Sequence, residues 1–185
     1  MEDSVRPAAW NDVLELSRKL NQAGVEYVLV GGYALAAHGA DRQTRDIDIV
    51  VNPTLENQRK WTVVLAELPG NAAKELVDEK DNLFSPDFLY AIRVCDDIVV
   101  DIMPQAGGQS WQTLKGEIET LHYGNTSIPV VSLRGLLLTK FGDRPQDIAD
   151  RHMIEAALAE MEKDNLSARK EQHGNAKGQE NGRER

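Results

Sequence analysis

Asp46-Ile47-Asp48 is the segment of this chain best suited to chemistry. On a strand, residues two apart point to one face, so Asp46 and Asp48 stand side by side. Ile47, Ile49 and Val51 then turn the other way, into a core. Two like charges so placed repel unless something positive lies between them. Mg²⁺ (or Mn²⁺) answers this need, because it is held through one or two carboxylates together with substrate phosphates. The plainer alternative is a solvated strand end neutralised by Arg42 or Arg45. A third acid, Asp101, lies inside the apolar run Val99-Val100-Asp101-Ile102-Met103. An unpaired buried carboxylate is costly, but Asp101 is tolerable if it faces the same cation from a neighbouring strand. Three such aspartates make a two-metal site for in-line phosphoryl transfer. Asp46 and Asp48 would hold the ions and a nucleoside triphosphate such as ATP. Asp101 would complete one metal and help deprotonate the attacking hydroxyl.

A turn able to meet a phosphate stands just upstream. Val30 runs into Gly31-Gly32, and Tyr33 to His38 is rich in Ala and Leu, as a short helix is. Glycine lets the backbone approach a ligand closely, and the N–H groups of a helix start favour an anion. Gly31, Gly32 and Tyr33 are therefore candidate nucleotide contacts, with Arg42 a further phosphate candidate.

The elements that must position these residues follow from periodicity. Trp10, Val13, Leu14, Leu16 and Leu20 recur at helical spacing, with Gly24 as the stop. Val25–Val30, Asp46–Val51, Phe88–Val94 and Ile98–Met103 read as strands, the last two around a break at Asp96-Asp97. Residues 55–68 read as a helix, 111–119 as ambiguous, and Thr126–Val131 as extended. Ser132 is a suitable N-cap for a helix to Phe141, closed by Gly142. Pro145 sits near the first turn of a last helix with an apolar stripe of Ile154, Ala157, Leu158 and Met161. The sum is an α/β or α+β domain: a small mixed sheet flanked by helices.

The chain has 185 residues, and its 41% apolar content is below the roughly 45–50% of an average globular chain, so part of it is expected to lie outside the core. Residues 1–163 are read as one domain, with 132–163 a C-terminal helix pair. Residues 164–185 are polar and carry one large apolar residue, Leu166, so they are read as a disordered tail. A formal charge of −9 argues against a general DNA coater, whose affinity comes from Lys and Arg on phosphates. It leaves open a nucleotide or a defined RNA. The single cysteine, Cys95, forbids an internal disulfide and is read as a core residue, and a reducing cytoplasm is the expected setting. The acidic start and the glycine-broken Tyr27–Ala37 stretch give no expectation of a signal peptide or membrane span.

Gly31-Gly32, then thirteen residues, then Asp46-x-Asp48, with Asp101 on a later strand, resembles the polymerase-beta-like nucleotidyltransferase superfamily. The stretch from Val30 to Val51, with His38-Gly39, Arg42 and Thr44, resembles its small bacterial branch that contains the AbiEii-type toxin proteins. So do Ile128-Pro129-Val130-Val131-Ser132-Leu133, Lys140, Arg144-Pro145-Gln146-Asp147 and Asp150. Together these cover about residues 10–160 in one consistent order. The resemblance implies a twisted sheet flanked by helices, with Mg²⁺ and an NTP at the sheet's end. It also implies that Lys140 reaches the triphosphate, where a charge favourable to a helix C-terminus is the alternative. Some members carry Gly-Ser where this chain has Gly31-Gly32, which removes one hydroxyl contact.

Other residues are read as structural. Asp147 is expected to pair with Arg151 at i,i+4, His38 to pack or cap, and Trp61 and Trp111 to pack. The expected activity is transfer of an NMP from an NTP to a hydroxyl of an RNA end, a protein or a small molecule. A partner protein and a toxin–antitoxin or phage-defence role go with the resemblance. The alternative is a catalytically silent module on the same fold that binds a nucleotide or a partner.

Overall fold

The computed structural model describes residues 5–85 and 88–180. Its order is α1 (Trp10–Gln22), β1 (Tyr27–Val30), α2 (Gly31–Ala37), β2 (Asp46–Val51), α3 (Leu55–Ala66), β3 (Ile92–Cys95) and β4 (Val99–Met103). A short hairpin, β5 (Gln105–Ala106) and β6 (Gln109–Ser110), leads to α4 (Trp111–Leu114), β7 (Ile118–Tyr123) and β8 (Thr126–Val131). Helices α5 (Leu133–Thr139) and α6 (Pro145–Glu180) close the chain.

Six strands form one mixed sheet in the order β3-β4-β2-β1-β8-β7. β1 and β2 are antiparallel, whereas β2 and β4, and β1 and β8, are parallel. The expected mixed sheet with flanking helices is what forms. The central strands are buried almost throughout: Val28, Leu29, Ile47, Ile49, Val50, Val51, Val100, Ile102, Ile128 and Val130 lie in the core. Their β-branched side chains suit a pleated surface packed on both faces. α1 packs on β8 and α3 through Val13, Leu16 and Leu20, the stripe its spacing predicts. α2 packs on β1, β2 and α5, and α5 on α6.

Local signals set several boundaries. Thr54 Oγ1 accepts from the Asn57 amide at 3.3 Å to start α3, and Ser132 Oγ from Gly135 at 3.0 Å to start α5. Pro145 opens α6, where its missing N–H costs nothing. Elsewhere the structure differs from the sequence expectation. The strand expected from Phe88 begins only at Ile92, and Phe88, Leu89 and Tyr90 are exposed. β5, β6 and β7 carry no clear period-two apolar pattern and are found only as pairing partners. α6 runs on to Glu180, through the segment read as a tail from residue 164. Its side chains over 159–167 are all exposed, so this part of the helix makes no core contact. Positions 1–4 of the expected domain and 181–185 of the expected tail lie outside the described residues. No helix among the described residues is long and apolar enough to cross a membrane.

Candidate active site

β2 and β4 lie side by side in parallel, with Asp48 directly opposite Asp101 and Asp46 opposite Val99. Opposed residues share a face, so all three aspartates project from one side of the sheet. β1 lies on the other flank of β2, with Val30 opposite Asp48. The chain turns there into α2, which brings Gly31 against the Asp48 carboxylate. Gly31 has φ +68°, and a Cβ on it would lie 2.2 Å from Asp48 Oδ2. A side chain is excluded twice over, by backbone conformation and by contact. Gly32 makes room for Thr44, whose Cβ would lie 2.5 Å from a Cβ at that position. The two glycines expected to admit a phosphate thus first admit side chains of this chain.

The three aspartates are not equivalent. Asp101 is 7% exposed, and Arg93 on β3, directly opposite it, grips both its oxygens: Nε to Oδ1 at 2.9 Å and Nη2 to Oδ2 at 2.7 Å. The same Nη2 reaches Asp46 Oδ2 at 3.1 Å. These bonds raise the Arg93 pKa further above its ordinary value, the Asp101 hydrogen bond contributing most. Asp48 receives no hydrogen bond from any described residue. Burial first, then the charges of Asp101 and Asp46, push its pKa up to about 7, against the opposing pull of Lys140 and Arg93. The alternative reading, a pair neutralised by Arg42 or Arg45, is not what forms: Arg42 pairs with Asp150, and Arg93 reaches Asp46 but not Asp48.

A second acidic group lies within electrostatic reach. Asp150 on α6 is fully buried, with Lys140 Nζ 2.9 Å from Oδ2 and Arg42 Nε donating to Oδ1 at 3.0 Å. Asp147 is held by Arg144 at 2.7 and 3.2 Å, with Lys140 Nζ at 3.8 Å. Arg144 draws the Asp147 pKa below the carboxylate range. Burial works to raise that of Asp150, but hydrogen bonding and charge from Lys140, with Gln146 and Arg42, bring it below. The expected Asp147–Arg151 ion pair does not form. Arg151 instead donates to the carbonyls of Lys140 and Gly142 at 2.7 and 3.0 Å, closing the end of α5. Lys140, the α5 C-cap residue, is therefore tied down by its side chain and its carbonyl alike.

The structure gives the settings of three further residues. Tyr33, a candidate nucleotide contact, is buried against Trp10, and its hydroxyl donates to the Ala8 carbonyl, so it anchors the N-terminal segment. Cys95, read as core, is exposed, because alternation along β3 turns Arg93 and Cys95 to the open side. His38 caps α2 as expected and contacts the Val131 carbonyl through Nε2 at 2.8 Å. Trp61 and Trp111 are packing residues. Arg93 is the site residue that sequence reasoning missed.

The donor set fits a divalent cation at Asp46 and Asp48: hard carboxylate oxygens, one with no donor and one only half engaged. Among the described residues, no group of three or more His, Cys, Asp or Glu side chains is placed as a ready-made metal cage.

The fold is that of nucleotidyltransferases. ANT(2'')-Ia in complex with adenylyl-2''-tobramycin matches at a TM-score of 0.55 and 15% identity, over 88% of this chain and 97% of that one. The solution structure of the antibiotic-resistance factor ANT(2'')-Ia matches at 0.50 and 15%, over 89% and 98%. An antigenic nucleotidyltransferase-like protein from Paracoccidioides brasiliensis matches at 0.48 and 18%, over 88% and 93%. No protein-family model and no curated protein matches the sequence.

Proposed function

We propose that the protein is a metal-dependent nucleotidyltransferase, moving an NMP from an NTP to a hydroxyl with release of pyrophosphate. The observation that carries this reading is the face shared by Asp46, Asp48 and Asp101, with Asp48 half-buried, without a hydrogen-bond donor among the described residues and pressed against Gly31. A structural carboxylate in such a place would be given a partner; one kept for an ion is not. Asp46 and Asp48 would hold Mg²⁺ or Mn²⁺, which supplies positive charge to the phosphoryl oxygens and to the leaving pyrophosphate. The positive charge of Lys140 acts on Asp48 from its place beside Asp150, and Lys140 is the candidate contact to the triphosphate. Arg42 acts at one remove, through Asp150, rather than on the phosphates. Asp101 is the candidate proton acceptor for the attacking hydroxyl, once its oxygens are free of Arg93.

The acceptor is an RNA end, a protein side chain or a small molecule. ANT(2'')-Ia, caught with an adenylylated tobramycin, illustrates the last. The resemblance to AbiEii-type proteins favours a toxin acting beside a partner protein, in which case expression arrests growth and Asp48→Ala relieves the arrest. One observation favours a second reading, a silent binding module: Arg93 occupies Asp101. Pyrophosphate release from the four NTPs with Mg²⁺, with and without total RNA, separates the two. Release that Asp48→Ala abolishes supports the enzyme. Mg·NTP binding without release under any acceptor supports the module.

A further inference from the structure

We infer that Arg93 is the protein's own stand-in for a divalent cation, neutralising Asp101 and Asp46 when no ion is bound and yielding Asp101 when one binds. The inference rests on the metal-dependent reading above. Its first support is geometric. The guanidinium spends Nε and Nη2 on the two oxygens of Asp101 at 2.9 and 2.7 Å and shares Nη2 with Asp46 at 3.1 Å. This is the planar fork on a carboxylate that makes arginine a strong and specific partner. It bridges two of the three acids, as an ion between them would, and leaves Asp48 without a donor.

The second support is the asymmetry of freedom. The Asp101 side chain is 10% exposed and its backbone lies within β4, flanked by β3 and β2. The Arg93 side chain is 56% exposed and springs from β3, the edge strand. When a second positive charge enters, the guanidinium has a route to water and the carboxylate has none. The third support is charge. Arg93 brings one positive charge to three carboxylates, and Lys140, the next base, is committed to Asp150 at 2.9 Å. A divalent ion offers twice the charge to the same oxygens, so it wins the exchange at the cost of breaking Arg93's bonds. Metal binding without nucleotide is therefore held weak by design of the strand pairing, because Arg93 stands opposite Asp101 in the β3–β4 register.

The test measures Mn²⁺ binding to the full chain without nucleotide, by the electron paramagnetic resonance signal of free Mn²⁺. Arg93→Gln is expected to bind Mn²⁺ about tenfold more tightly than the wild type, because the ion no longer competes with a bound cation. Arg93→Lys, which keeps the charge and loses the fork, is expected to tighten by less. In chelator the Arg93→Gln protein melts below the wild type, since Asp101 is left buried and unpaired. Added Mn²⁺ raises its melting temperature by more than it raises that of the wild type. Equal or weaker Mn²⁺ affinity in Arg93→Gln overturns the inference while leaving the metal reading intact. Absence of Mn²⁺ binding by wild type and variant alike overturns both. If Arg93→Gln does not fold, Arg93→Lys decides: unchanged Mn²⁺ affinity overturns the inference, and a several-fold gain upholds it.

Discussion

Two groups of aspartates sit within electrostatic reach of each other, and the protein treats them in opposite ways. Asp147 and Asp150 are surrounded by Lys140, Arg42 and Arg144, and their pKa values lie below the carboxylate range. Asp46, Asp48 and Asp101 share a single arginine, and Asp48 is pushed up to about 7. The helical group is ion-paired as it stands: Lys140 and Arg42 flank Asp150, Arg144 holds Asp147, and these contacts join α5 to α6. The sheet group is incomplete as it stands. A half-buried carboxylate with no donor and two acidic neighbours has its charge opposed by its setting, and such settings cluster at functional sites. On the function proposed above, the difference separates acids that hold the protein together from acids that receive an ion.

The largest expected effect breaks the comparison on the catalytic side. Asp48→Ala should lower pyrophosphate release by about a thousandfold or more, as loss of an ion's charge stabilisation does. Asp147→Asn, on the other group, should leave a folded fraction that retains most of its turnover. Equal losses in the two variants would mean that the groups act as one site. On stability the order reverses. Asp150→Asn removes the partner of buried Lys140 and of Arg42, and should cost about 3 kcal/mol in urea unfolding. A cost below about 1 kcal/mol would show that the helical group is not what ties α5 to α6.

Acidity sharpens the contrast, because the two groups have opposite signs. The folded pKa of Asp48 lies above the 3.8 of a free carboxylate. The folded state therefore binds more protons than the unfolded state between those values, and its stability falls as pH rises from about 4 to about 7. In chelator, Asp48→Asn should be more stable than the wild type by about 2 kcal/mol at pH 8, with the gap closing toward pH 4. Asp150 behaves inversely: its folded pKa is lowered, so its contribution is present above 3.8 and lost as pH falls through the folded value. Urea unfolding of both variants from about pH 2 to pH 8 checks this. Parallel pH profiles for the two would sink the distinction.

Much of the sheet group is legible in the residues themselves. The alternation Asp46, Ile47, Asp48, Ile49 fixes strand and face together, and β2 begins and ends where that pattern does. Ser132 and Pro145 mark helix starts through local hydrogen bonding and a fixed φ, which need no partner from afar. Arg93 was legible only in part. It and Asp101 each stand four residues from Asp97, so a hairpin centred there places them opposite one another. A lone arginine in an apolar run gives no such sign until the register is known. Cys95 was misread, and the anchoring contact of Tyr33 went unseen, for a similar reason. Which side of a strand or helix faces water depends on segments far away in sequence, here the Ala8 carbonyl for Tyr33 and the sheet edge for β3. Arg144 stands three residues from Asp147 and Gln146 four from Asp150, within reach of spacing rules, but Lys140 and Arg42 come from the end of α5 and the turn after α2, where such rules are silent.

The smallest expected effect asks where the helical group draws its strength. Arg144 makes the closest contacts to Asp147, at 2.7 and 3.2 Å, yet its side chain is 80% exposed. Lys140 is farther from Asp147, at 3.8 Å, but only 11% exposed. Water screens the first pair and hardly reaches the second, so burial should outweigh distance. Arg144→Ala is then expected to cost no more than about 0.5 kcal/mol, in the range of exposed ion pairs, and less still in high salt. Lys140→Met, which keeps the length of the side chain and removes its charge, should cost several times as much, because Asp150 loses its closest cation at full burial. Urea unfolding of the two variants at low and high salt decides the matter. A larger loss from Arg144→Ala would mean that the cluster is clamped from outside, by the loop before α6, and that Lys140 is free to serve the sheet aspartates instead.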